Sequence, residues 1–130
     1  MKYLGEPWTE KRCPRCETTK PAEDFHKHTS GMGLLQSYCI RCTEDRRYQK
    51  YYGLTIVDYE AMVEAQGGRC GVCGRGPGHD GRAKLMVDHD HETGQVRALL
   101  CSHCNTALGM AEDDPDRLIA LAAYIIQHRA

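Results

Sequence analysis

The sequence predicts a small α+β fold built as two stapled modules, and three observations carry that expectation. Eight cysteines fall into four Cys-x2-Cys pairs, at 13/16, 39/42, 70/73 and 101/104. At 130 residues the chain allows one ordinary domain or two very small ones, and modules of that size bury too little apolar surface to be secure alone. The segment leading into the last cysteine pair alternates like two strands and is followed by a helical stretch. Cysteines at the x2 spacing grip one metal from a tight turn, whereas disulfide frameworks use longer and irregular spacings. Thiolates suit zinc, so two structural Zn2+ are expected. One would sit on Cys13, Cys16, Cys39 and Cys42, the other on Cys70, Cys73, Cys101 and Cys104; an interleaved pairing is the alternative.

The elements follow in order. Residues 1–50 form the first zinc-binding module, read as a zinc ribbon or knuckle, with a turn expected at 29–33. His26 and His28 lie inside its loop but are expected to be non-ligands, because four cysteines already complete a tetrahedral site. Trp8 and Phe25 are expected to pack small cores. Residues 43–52 contain good helix formers and stop at Gly53. Thr55, with Asp58 three residues on, caps a second helix whose apolar face (Ile56, Tyr59, Met62, Val63) is expected to pack on the second cysteine block. Residues 51–130 form the second module. After a Gly/Pro-rich surface loop at 74–82, residues 84–89 and 96–100 read as strands joined by a turn around Glu92-Thr93-Gly94, and Ser102 starts a helix to about Met110. Asp114-Pro115 starts the last helix, whose stripe of Leu118, Ile119, Leu121, Ala122, Ile125 and Ile126 is expected to cover a core, with a partner surface as the alternative.

Charge and composition narrow the partners. The formal net charge is −1, divided into 10 Lys/Arg against 7 Asp/Glu over residues 1–54 and 7 against 11 over the remainder. Strong backbone-wide binding of nucleic acid is therefore not expected, and recognition would rest on local clusters such as Arg41, Arg46, Arg47 and Lys50. Arg97 is a candidate phosphate contact, with an ordinary surface strand residue as the alternative. The N-terminal sequence lacks the apolar run of a signal peptide, and no stretch approaches ~18 consecutive apolar residues, so an intracellular chain with reduced thiols and no membrane partner is expected.

The chemistry concentrates in Asp88-His89-Asp90-His91 and Asn105. A carboxylate and an amide oxygen suit a hard cation such as Mg2+ or Mn2+, and such an ion keeps several waters and accepts phosphate oxygens. In an ideal strand Asp88 and His89 face opposite sides, so a metal ligand and a base at adjacent positions converge only where the strand breaks into its turn. Cys101 and Cys104, three apart at the start of a helix, lie on one side of it, and Asn105 turns about 100° away. A zinc on those thiolates would therefore fix the direction of Asn105. His89 is then the expected general base for a water attacking phosphorus. Each residue also has a bland reading: Asn105 as a local hydrogen-bonder, the 88–91 run as a solvated turn or another zinc site, and His79 and His103 as solvated side chains.

Over residues 51–127 the chain resembles the recombination endonuclease VII group of phage junction-resolving enzymes, among the His-Asn-His, ββα-metal nucleases. The resemblance rests on Tyr52-Gly53-Leu54-Thr55 with Asp58-Tyr59, Gln66-Gly67-Gly68-Arg69-Cys70 and Asp88-His89-Asp90-His91. It continues through Val96-Arg97-Ala98-Leu99-Leu100-Cys101, Cys104-Asn105 with Leu108-Gly109, and Asp113-Asp114-Pro115. It implies a ββα-metal nuclease core in which Asp88 and Asn105 bind the catalytic cation, His89 is the general base and His91 supports the phosphate or leaving group. It also implies duplex or branched DNA as substrate, 5′-phosphate products and a phage or prophage source. Two departures stand out: Leu108 occupies a position where the family's junction resolvase has a glutamate, and a long dimerisation segment is missing, which leaves monomer and homodimer both open. A non-catalytic zinc-dependent DNA-binding module and an RNA-directed nuclease are the alternative functions.

Overall fold

The computed structural model describes residues 9–30 and 34–129. Trp8 and the Gly31-Met32-Gly33 part of the expected turn lie outside them. Two compact units divide the chain between Tyr59 and Glu60.

The first unit opens with an antiparallel hairpin, β1 (Glu10–Cys13) and β2 (Thr18–Pro21), in register from Glu10 opposite Pro21 to Cys13 opposite Thr18. The four sulfurs of Cys13, Cys16, Cys39 and Cys42 all lie within 4.8 Å of one another, as the zinc expectation requires. Cys13, Phe25, Cys39 and Cys42 form the buried centre, with Leu35 and Tyr38 packed against it. His26 and His28 are exposed and outside that cluster. Charge compensation is local: Lys20 Nζ donates to Cys39 Sγ at 3.3 Å, and the Cys39 N–H donates to Cys13 Sγ at 3.3 Å.

Helix α1 (Ile40–Tyr52) begins earlier than its composition suggests, because Cys39 is its N-cap and accepts from the Cys42 N–H. Gly53 ends it in the left-handed conformation, φ 68°, returning its N–H to Gln49 and Tyr48 carbonyls. Helix α2 (Ile56–Ala65) carries the expected reciprocal cap, Thr55 Oγ1 with the Asp58 N–H and Asp58 Oδ2 with the Thr55 N–H. Its first turn is held by α1. Tyr59 stacks on Tyr48 with centroids 4.8 Å apart, and buried Asp45 accepts from the Ile56 N–H at 2.7 Å.

Asp45 also takes Gln49 Nε2 at 2.7 Å and Arg15 at 2.7 Å, so one carboxylate joins the first cysteine turn, α1 and the start of α2. Asp45→Ala would leave the Ile56 N–H, the Gln49 amide and the Arg15 guanidinium without their acceptor and is expected to cost about 2–4 kcal/mol, read as a fall in urea midpoint. The Ile56 N–H, with Arg15, holds the Asp45 carboxyl below the usual carboxylate range against the opposing effect of burial. Protonation therefore favours the unfolded chain. The contribution is complete above about pH 4 and is lost as pH falls through the lower, folded value. The stability gap between wild type and Asp45→Asn should close over that range, and a gap that stays constant to pH 3 would rule the assignment out.

In the second unit, β3 (Met86–His89) and β4 (Val96–Leu100) form an antiparallel hairpin followed by α3 (Ser102–Met110). Its core is Leu85, Val87, Leu99 and Leu100 with Cys70, Cys101 and Ala111. The last helix, α4 (Pro115–Gln127), starts as expected, with Asp114 capping the Asp116 N–H and Pro115 in the first turn. Its apolar stripe corrects the core expectation: no residue of α4 is buried, and Ile119 and Ile126 are each 66% exposed. No helix among the described residues is long and apolar enough to cross a membrane.

Candidate active site

The hairpin breaks at the Asp88/His89 step. Asp88 pairs with Ala98 but His89 pairs with Val96, so Arg97 is the extra residue of a β-bulge at the Asp88/His89 step. Beyond it, Asp90 organises the turn: its Oδ1 accepts the N–H groups of Glu92 (2.8 Å) and Thr93 (3.0 Å), and its backbone bonds to Gln95 and Gly94. Those amides, Thr93 foremost, hold the Asp90 carboxyl below the usual range. Gly94 closes the turn at φ 75°, a conformation that a β-carbon disfavours. His89 and His91 emerge together, ring centroids 4.8 Å apart and tilted by 57°.

Helix α3 supplies the second half. Cys101 is its N-cap, and its sulfur accepts from the Cys104 N–H at 3.4 Å. Half-buried Asn105 follows in the first turn, with its N–H on the Cys101 carbonyl. The sulfurs of Cys70, Cys73, Cys101 and Cys104 lie within 4.8 Å of one another, so each cluster draws on consecutive pairs and the interleaved alternative fails. Cys73 and Cys101 sulfurs are 3.8 Å apart, matching two thiolates bonded at ~2.3 Å to one tetrahedral zinc. Burial pushes the Cys70 thiol up, but amides of Cys101, Cys73 and Val72 outweigh it and bring it down to about 6; burial takes Cys104 up to about 12. A bound zinc holds all four as thiolates.

Three further residues hold this frame. Asp80, in the surface loop, accepts from the Ser102 N–H at 2.7 Å and caps α3 from 22 residues away. That amide keeps the Asp80 carboxyl well below its usual range. Gln66 behaves like a one-residue strand, with Oε1 on the Leu99 N–H and Nε2 on the Leu99 carbonyl, both at 2.9 Å. Asp113, after α3, reaches Arg97 at 3.3 Å.

Asp88 is 7% exposed, and Arg97 grips it at two points, Nε to Oδ2 at 2.7 Å and NH2 to Oδ1 at 2.9 Å. Asp88, then Asp113, holds the guanidinium even more firmly protonated than usual. A carboxylate offers about four lone-pair positions, so Asp88 keeps acceptor capacity beyond these two bonds. One anionic and one amide oxygen form a donor set that fits a hard divalent ion retaining most of its water. Arg97, a candidate phosphate contact with a surface strand residue as the alternative, bonds two carboxylates, while Leu108 adds no oxygen. Arg46, Arg47 and Lys50 are exposed on α1 of the first unit, over the rings of Tyr38, Tyr48 and Tyr51 at 5.1–5.4 Å; Arg41 is exposed on the same helix.

Residues 45–127 match the family model described as recombination endonuclease VII. The chain belongs to that family. The endonuclease VII match takes in the hairpin, α3, α4 and the second cysteine cluster, while the cysteines of the first cluster all precede it. The Gene 59 protein of Mycobacterium phage D29 is 54% identical over 75 residues, covering 57% of this chain and 44% of that protein. Its counterpart in Mycobacterium phage L5 is 51% identical over 63 residues, covering 48% and 37%. The chain thus spans less than half the length of these relatives. The β-β-α-Me type II restriction endonuclease Hpy99I shares 25% identity, with 96% of this chain and 69% of that one covered at a TM-score of 0.43. The match takes in the strand, strand, helix order of the second unit, and the two four-cysteine clusters stabilise the α+β fold.

Proposed function

We propose that the chain is a metal-dependent DNA endonuclease that hydrolyses phosphodiester bonds in duplex or branched DNA. The observation that carries the reading is the bulge between Asp88 and His89, which breaks the strand's alternation at the point where a cation ligand and a base must act on one phosphate. Membership of the endonuclease VII family supports the same reaction class. Asp88 and Asn105 would hold one Mg2+ or Mn2+, which when bound supplies charge stabilisation at the phosphate oxygens. His89, as neutral imidazole, takes the proton from the attacking water. His91, beside it on the turn, supports the phosphate or the departing 3′-oxygen and leaves a 5′-phosphate product. Asp90 keeps both histidines in place by tying down the turn, and the zinc at Cys70, Cys73, Cys101 and Cys104 sets the direction of Asn105. Arg41, Arg46, Arg47 and Lys50 are assigned to the DNA backbone.

The test is cleavage of matched linear, nicked, supercoiled and four-way-junction DNA by zinc-replete protein with Mg2+ or Mn2+, followed by ligation of the product ends. Cleavage that leaves ligatable 5′-phosphates is expected, and substrate preference separates a nicking enzyme from a junction resolvase. A folded protein with two zincs per chain that binds these DNAs and cuts none would instead be a zinc-dependent binding module. Cutting of RNA alone would move the substrate and keep the mechanism.

A further inference from the structure

The bulge at the Asp88/His89 step also sets the place of Arg97. It leaves Arg97 without a register partner on β3, and the guanidinium is shared between two carboxylates: NH2 bonds Asp88 Oδ1 at 2.9 Å and Asp113 Oδ2 at 3.3 Å. Asp88 is buried and needs a compensating cation. The Arg97 side chain is 38% exposed and lines a cavity of about 490 Å³ together with Asp90, Glu92, Glu112 and Asp113. An arginine there can move without losing carboxylate company. Asp113 is held in reach by an uncommon turn, in which Glu112 (φ 56°) and Asp113 (φ 54°) are both left-handed without being glycine.

We propose that Arg97 is an exchangeable counter-charge for the cation site: it neutralises Asp88 until a divalent cation takes that carboxylate, and Asp113 then receives the guanidinium. The proposal rests on the reading of Asp88 as a cation ligand. A divalent ion about 2 Å from an Asp88 oxygen would stand within about 5 Å of a guanidinium that bonds the same oxygens, and like charges that close in a partly buried site compete. Arg97 therefore opposes loading, and Asp113 favours it by drawing Arg97 away. Removing the arginine and removing its second acceptor should change cation affinity in opposite directions, which a static brace would not do.

The experiment titrates Mn2+ into the zinc-replete 130-residue chain without DNA and follows free Mn2+ by electron paramagnetic resonance. Zinc content and melting temperature are checked for every variant. Arg97→Gln is expected to tighten Mn2+ binding about 10-fold or more, and Asp113→Asn to weaken it several-fold. Loss of affinity in both variants, or no change in either, would overturn the proposal. Should Arg97→Gln fail to retain two zincs, Arg97→Lys decides together with Asp113→Asn. A lysine keeps the charge but loses the two-point grip, so it should tighten binding modestly, and weaker or unchanged binding overturns the idea. Asp88→Asn separates the two levels: if it binds Mn2+ as wild type does, the cation-site reading itself fails, whatever the Arg97 variants do.

Discussion

His89→Ala is expected to lower the rate of strand cleavage by about 10²–10⁴-fold, the usual contribution of a positioned general base. The side chain sits at the end of β3, half-buried, with its ring against exposed His91. No zinc ligand depends on it, because the second cluster is made of Cys70, Cys73, Cys101 and Cys104 alone. Zinc content, melting temperature and DNA affinity should stay close to wild type, so the loss should fall on the chemical step. Single-turnover cleavage with saturating protein measures that step directly. A variant that loses zinc or unfolds would remove the assignment of His89 as base, and so would one that cleaves at the wild-type rate.

Cys101→Ser carries the largest expected effect on stability. The residue has two separable tasks: its sulfur caps α3 through the Cys104 N–H, and the same sulfur belongs to the four-thiol cluster. Serine is a good N-cap, so the substitution preserves the first task and removes the second. Structural zinc binding is worth about 10–16 kcal/mol in small zinc modules, comparable to or larger than the ~5–15 kcal/mol that usually separates folded from unfolded domains. The variant is expected to hold one zinc per chain instead of two, to lose protection of the β3, β4 and α3 amides in hydrogen exchange, and to show no cleavage. Retention of full amide protection with one zinc would mean that capping and the Leu99-centred core suffice, and that zinc does not position Asn105.

Local chemistry explains what could be read without a structure. A Cys-x2-Cys pair closes on a metal through a turn of its own making, so the ligand sets of both clusters follow from spacing and ion preference. Strand alternation and the Gly94 turn likewise act over a few residues, which is why β3, β4 and α3 lie close to where their sequence puts them, although Cys101 and not Ser102 caps α3. The expectation that the strand breaks into its turn near the motif came from the same alternation, and the structure places a bulge at the Asp88/His89 step.

Contacts between residues far apart in the chain follow a different logic. Asp80 caps α3 across 22 residues, Gln66 completes β4 across 33, and Asp45 starts α2 across 11; each is a single polar side chain with no periodic signal. Their partners are buried or half-buried backbone groups that exist as unmet donors and acceptors only once the chain has folded. The α4 stripe shows the converse, because amphipathicity specifies an apolar face and a helix but not what lies against it. Arg97 shows it most sharply. By composition it was a phosphate contact or a surface strand residue, and its sequence neighbours could say no more. The sequence by itself determined the metal-binding cysteines and the order of elements, and nominated the candidate residues for phosphodiester chemistry, because each depends on spacing and side-chain type. Only the tertiary structure decided that Arg97 lies between Asp88 and Asp113, because a bulge and a left-handed turn had to bring three distant charges together before any of them could choose a partner.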